Sequence, residues 1–94
     1  MRYRQASKVW SNLDAVIGTE VLLVVEAREL ARSGRATEIR ERAGLSKGEM
    51  GKAIGVATAT VSRWESCQRR PRGAPAVRWV RFLRSLEKLE ARTA

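Results

Sequence analysis

Apolar residues recur at helical spacing along most of the chain, and the sharpest pattern lies between Leu45 and Arg70. There Met50, Ile54, Val56, Val61 and Trp64 stand at intervals that bury one face of each of two short helices, with a glycine between them. Gly55 sits where the first helix must stop and the chain reverse, a place suited to a left-handed backbone. Gly51 lies one turn earlier, on the face that must meet the second helix, where a missing side chain lets two helices cross closely. Val61 and Trp64 project from the second helix back into the angle between them.

Three further helices flank this pair. Thr19 is the expected cap of a helix running to about Arg32, with Glu20 in its first turn, Arg32 in its last and Gly34 just beyond. Its opening run, Val21 to Val25, is apolar almost all round, so it is either deeply buried or shared with a partner. β-branched residues there would also suit a strand, but Glu26 to Arg32 is strongly helical in composition. A short helix follows over 35–43, with Thr37 as cap, Gly44 as stop, and Ile39 and Ala43 facing inward. Pro71 and Pro75 keep the stretch after Gln68 out of helix, and a last helix is expected from Pro75 or Ala76 to Glu90. Trp79, Val80, Leu83, Leu86 and Leu89 form its apolar stripe, Phe82 flanks it, and Arg78, Arg81 and Arg84 lie on its polar side. Near the N-terminus, Trp10, Leu13, Val16 and Ile17 are expected to pack a turn or short helix onto the core.

The order of Gly51, Gly55 four residues on, Val61 six further and then Trp64 is the grammar of a helix-turn-helix unit. An ordinary αα-hairpin can share each element; the joint spacing is what distinguishes the unit. The expected architecture is all-α, a compact bundle of about five helices in a single domain over residues 1–94. It divides into a basic N-terminal segment 1–18, an extra helix 19–33, a helix-turn-helix core 37–72 and a C-terminal helix 75–90.

A length of 94 residues allows one modest core, and an apolar content of 44% is that of a globular chain. The charge is not ordinary. A formal net charge of +9 at this size points to a polyanion, of which nucleic acid is the usual one. From Thr19 to Glu49 six acidic residues cancel six basic ones, whereas Arg63, Arg69, Arg70, Arg72, Arg78, Arg81 and Arg84 are opposed only by Glu65. Two thirds of the excess therefore lies on and just after the second helix of the unit, where a DNA backbone would pass rather than on an arbitrary solvated face. Arg2, Arg4 and Lys8, with Tyr3, make residues 1–11 either a loosely packed basic tail or an arm that tracks phosphates.

Cys67 is the one cysteine, so no internal disulfide can form, and a reducing, cytoplasmic setting in a bacterial host cell is expected. With no histidine and one cysteine there is no zinc site, and no cofactor is expected. The run Val21–Val25 is too short for a signal peptide or a membrane span. No histidine, paired-carboxylate, phosphate-loop or nucleophile motif supports catalysis, so the protein is expected not to be an enzyme. No ligand-binding domain is expected either, and hence no small-molecule ligand.

From Ile39 through Gly44-Leu45-Ser46-Lys47, Gly55-Val56 and Ser62-Arg63-Trp64-Glu65 to Arg69-Arg70-Pro71, the chain resembles the phage-repressor helix-turn-helix family of the Cro and XRE type. The resemblance covers about 40% of the chain or slightly less. It implies a lambda-repressor-like domain of about five helices, commonly a homodimer on a two-fold related operator, and a phage or prophage repressor or Cro-like role. By position it places Ser46 and Lys47 against phosphate and Thr58, Ala59 and Arg63 against bases, with Ser62, Ser66 and Arg69 beside them. Arg40 and Glu65 fall at the family's internal ion pair, which agrees with their placement at facing helix ends. Lys47 and Gly48 replace the commoner Gln and Glu, Ala57 stands where a serine cap is preferred, Ser66 replaces asparagine, and Cys67 occupies the usual glycine.

At about 100° per residue, Val61, Trp64 and Gln68 point one way along a helix over 58–68, and Thr58, Ala59, Ser62, Arg63, Ser66 and Arg69 point the other. Short side chains let a helix lie deep in the major groove. Arg63 can bracket guanine O6 and N7, Thr58 can hydrogen-bond, and Ala59 can touch a thymine methyl. Lys47, Arg69, Arg70 and Arg72 are the expected phosphate contacts, which set register without reading sequence. The function so indicated is sequence-specific double-stranded DNA binding by a transcription regulator. An antitoxin built on the same unit and a non-specific basic nucleic-acid binder are the alternatives. Val21–Val25 and the Trp79–Leu89 stripe are the two candidate dimer surfaces.

Overall fold

The helical spacings take form as five helices in the computed structural model, which describes the backbone of residues 2–93 and the side chains of residues 18–93. They are α1 (Arg2–Ser33), α2 (Arg35–Arg42), α3 (Lys47–Ile54), α4 (Thr58–Glu65) and α5 (Gly73–Thr93), with no strand among the described residues. The all-α class and the number of helices agree with the sequence. Several boundaries do not.

α1 begins at Arg2, not at a cap on Thr19. A capping residue marks a start only where the preceding stretch cannot extend, and residues 2–18 contain no proline and one glycine, whose cost of about 1 kcal/mol is too small to break a helix. The basic arm and the packing expected of Trp10, Leu13, Val16 and Ile17 lie outside the described side chains. α2 starts at Arg35 rather than at a Thr37 cap. Gly34, at φ 80°, turns the chain between α1 and α2, and its carbonyl accepts the Glu38 N–H at 3.1 Å. Ala43, expected to face inward, is the exposed C-terminal cap of α2. α5 starts at Gly73, so Pro75 lies in the first turn, where its missing N–H costs nothing.

The core draws on every helix: Leu23, Ala27 and Ala31 of α1, Ala36 and Ile39 of α2, Met50 and Ile54 of α3, Val61 and Trp64 of α4, and Ala76, Val77, Trp79, Val80 and Leu83 of α5. The two alanines of α1, four residues apart, let that helix approach closely. Trp79 is fully buried and stacks obliquely on Trp64, ring centroids 4.9 Å apart at 42°, a geometry worth about 0.5–1.5 kcal/mol beyond the area buried. The α5 stripe thins towards its end: Leu86 is half-buried and Leu89 is exposed. In the Val21–Val25 run, Leu23 faces the core while Val21, Leu22 and Val25 face solvent. Surface ion pairs Arg84–Glu26, Arg35–Glu87 and Arg42–Glu90 tie α5 to α1 and α2, where solvent screens them. No helix among the described residues is long and apolar enough to cross a membrane.

Candidate nucleic-acid interface

α3 opens on Ser46. Its hydroxyl accepts the Glu49 N–H at 3.0 Å, and the Glu49 carboxylate accepts the Ser46 N–H at 2.9 Å. This capping box satisfies two donors of the first turn reciprocally. The Ser46 hydrogen bonds, with Lys52 nearby, hold the Glu49 carboxyl below its usual pKa. A serine followed three residues later by a glutamate carries that signal in sequence; the reading of Ser46 as a phosphate contact alone overlooked it.

The turn is built on two glycines. Gly55 adopts φ 77°, and the Val56 N–H returns to the Gly51 carbonyl at 2.9 Å. A Cβ on Gly51 would lie 2.6 Å from the Val56 carbonyl oxygen, so the close approach is to the backbone of the turn itself rather than to the face of the second helix. Arg78, read as a polar-face residue, donates from Nε to the Ile54 carbonyl at 2.8 Å and so caps the end of α3 from α5. No local pattern could have revealed a contact spanning 24 residues.

α4 is wedged by Val61 and Trp64, both buried. It ends at Glu65, not at Gln68. Cys67 takes φ 62°, its N–H reaches the Trp64 carbonyl at 3.2 Å, and the Gln68 N–H reaches the Arg63 carbonyl at 2.9 Å. That is a Schellman ending with a cysteine in the left-handed position normally held by glycine. Gln68, expected to point inward, is therefore past the helix and exposed. Arg40 clamps the far end: its guanidinium meets the Glu65 carboxylate at 2.7 and 3.0 Å and the Leu45 carbonyl at 2.8 Å. Both side chains are over nine-tenths buried, and the hydrogen bond to Glu65 raises the Arg40 pKa above its usual value.

The outward face of α4 follows from that wedge. With Val61 and Trp64 inward, Ala59 and Arg63 stand on the opposite side, and Ser66 caps the helix with its hydroxyl donating to the Arg63 carbonyl at 3.4 Å. Thr58, Ala59, Arg63 and Ser66 are exposed. Ser62, half-buried, accepts from Lys47 Nζ at 3.4 Å and so marks the flank facing α3. On the other flank Thr60, which the sequence reading missed, lines a groove with Arg63, Arg69, Arg70 and Arg72. Thr60 lies three residues before Arg63, the spacing that could have drawn it in. Arg63, Arg69, Arg70 and Arg72 are exposed and form no ion pair with any described residue. Arg84, counted with them in the sequence, is held by Glu26 instead.

Comparison with curated proteins and with solved structures gave no match. A family model described as helix-turn-helix, of the Cro/C1 type, matches residues 37–89, more than half of the chain and all of α3, the turn and α4. The chain thus belongs to the Cro/C1-type helix-turn-helix family, a family of DNA-binding transcription regulators.

Proposed function

We propose that the protein binds double-stranded DNA sequence-specifically as a repressor or Cro-like regulator, with α4 in the major groove and Arg63 as its principal base-reading residue. The observation that carries this is the exposed ridge of Thr58, Ala59 and Arg63, which has Lys47 on one flank and Arg69, Arg70 and Arg72 on the other. A helix about 10–12 Å across fits a groove about 12 Å wide only if its leading side chains are small, and those beside Arg63 are. Cations on both sides then meet the two strands that border the groove. The Ser46 and Ser62 hydroxyls, whose oxygens accept from Glu49 and Lys47, keep their protons for further backbone contacts.

Eight residues at 1.5 Å each make α4 about 12 Å long, roughly three to four base-pair steps. So short a reading frame favours a second copy on a second half-site, and the exposed Val21, Leu22 and Val25 of α1 or the exposed Leu89 at the end of the α5 stripe are available for that contact. The test is to select duplexes from random sequence and titrate the recovered site against wild type and variants. Arg63→Ala should relax preference at one base pair, worth about 1–3 kcal/mol. Arg70→Ala should weaken all sequences alike and reduce the salt slope by about 0.9. Random DNA competing as well as the recovered site at moderate salt would refute specific reading.

A further inference from the structure

The family match begins at residue 37, so α1 lies outside it. α1 nevertheless holds the cationic loop after α4 at two points. The Arg28 Nε–H donates to the Pro71 carbonyl at 3.0 Å across 43 residues of chain, and the Cys67 thiol donates to the Ala31 carbonyl at 3.7 Å. Pro71 is fully buried, while Arg70 and Arg72 on either side of it are exposed. Proline has no N–H, so its carbonyl is the only main-chain polar group that burial leaves to be satisfied, and Arg28 satisfies it. A loop pinned inward at its centre turns the residues on either side outward.

We propose that Arg28 is a positioning residue for DNA binding: by holding the Pro71 carbonyl it presents Arg70 and Arg72 to the DNA backbone beside the groove that α4 reads. This rests on the function proposed above. A cationic loop without that anchor has to be ordered on the DNA, and the conformational freedom then lost weakens binding. Arg28 itself is half-buried in the cleft between α1 and the loop, among Val25, Arg69, Arg70 and Pro71, so it acts through the loop and not on phosphate.

Two substitutions separate the hydrogen bond from the charge. Arg28→Gln keeps an N–H donor at the position of Nε and removes the charge; Arg28→Met removes both. Each is titrated over a range of salt against the selected duplex and a random one, with its thermal midpoint measured alongside. Arg28→Met should weaken both duplexes about tenfold, ~1.4 kcal/mol, and make the salt slope shallower, while Arg28→Gln restores most of the affinity. In an Arg70→Ala, Arg72→Ala background Arg28→Met should cost nothing further, because the contacts it organises are already gone. Equal losses in the Gln and Met variants would identify Arg28 as a direct cationic contact and overturn the proposal. So would a loss that persists in the double-alanine background, or full affinity in Arg28→Met while Arg70→Ala binds weakly; in each case specific DNA reading stands. If wild type does not prefer the selected duplex and Arg63→Ala changes nothing, the proposed function itself falls, and the role of Arg28 with it.

Discussion

Two glycines three residues apart on α3 should respond to alanine with opposite signs. At Gly51 the added Cβ would lie 2.6 Å from the Val56 carbonyl oxygen and 3.4 Å from the Ala57 carbonyl carbon. These are backbone atoms and cannot rotate aside, so the turn must open and strain its 2.9 Å hydrogen bond from Val56 back to Gly51. Overpacking of this kind costs about 1–3 kcal/mol and a weakened hydrogen bond about 1 more, against about 1 kcal/mol gained in helix propensity. Gly51→Ala is thus expected to destabilise by ~1–3 kcal/mol. At Gly48 the nearest atoms are the Thr58 Oγ1 at 3.4 Å and the Ser46 Oγ at 3.8 Å, both ordinary contacts with movable side chains. Gly48→Ala should therefore stabilise by ~0.5–1 kcal/mol. Thermal unfolding followed by far-UV circular dichroism and tryptophan fluorescence measures both. At about 4–8 °C per kcal/mol for a domain of this size, the two midpoints should fall on either side of wild type by several degrees. A Gly51→Ala protein as stable as wild type would refute the claim that the α3–α4 angle depends on backbone contact at that residue.

Cys67→Gly should stabilise by about 0.5 kcal/mol, since a non-glycine residue in the left-handed region costs ~1–2 kcal/mol while glycine's extra unfolded-state freedom and loss of the weak thiol hydrogen bond to the Ala31 carbonyl cancel part of the gain. Cys67→Ala, which keeps the strain, should show no such gain in the same thermal melt. Breaking the buried pair by Arg40→Met or Glu65→Leu alone should cost ~3–5 kcal/mol in chemical denaturation, whereas the double replacement should recover most of it. Glu49 is held below its ordinary value of 4.5, so its contribution to stability is complete above that pH and is lost as pH falls through the lower folded value. The advantage of wild type over Glu49→Gln should accordingly vanish at the acid end of a stability–pH profile.

Local chemistry made the centre of this molecule legible in the sequence. Gly51, Gly55, Val61 and Trp64 act within a dozen or so residues of one another, and helical periodicity with glycine's freedom at positive φ is enough to order them. The pairing of Arg40 with Glu65 follows from the order of their helices and agrees with the resemblance to the family, and the structure places the two in contact. Tertiary structure decided what local rules leave open. Thr19 had the chemistry of a cap but no break before it, and α4 ended at Glu65 because Cys67 accepts a backbone conformation that its residue type disfavours. The charge count took the seven arginines between Arg63 and Arg84 together, while position set Arg63 against bases, Arg69, Arg70 and Arg72 against phosphate, and Arg78, Arg81 and Arg84 on the polar side of the last helix. Packing gave Arg78 and Arg84 partners, the Ile54 carbonyl and Glu26, while Arg63, Arg69, Arg70 and Arg72 form no ion pair with any described residue. A charge is read from one residue, but its partner is set by residues 24 or 58 positions away, and only the folded chain brings those together.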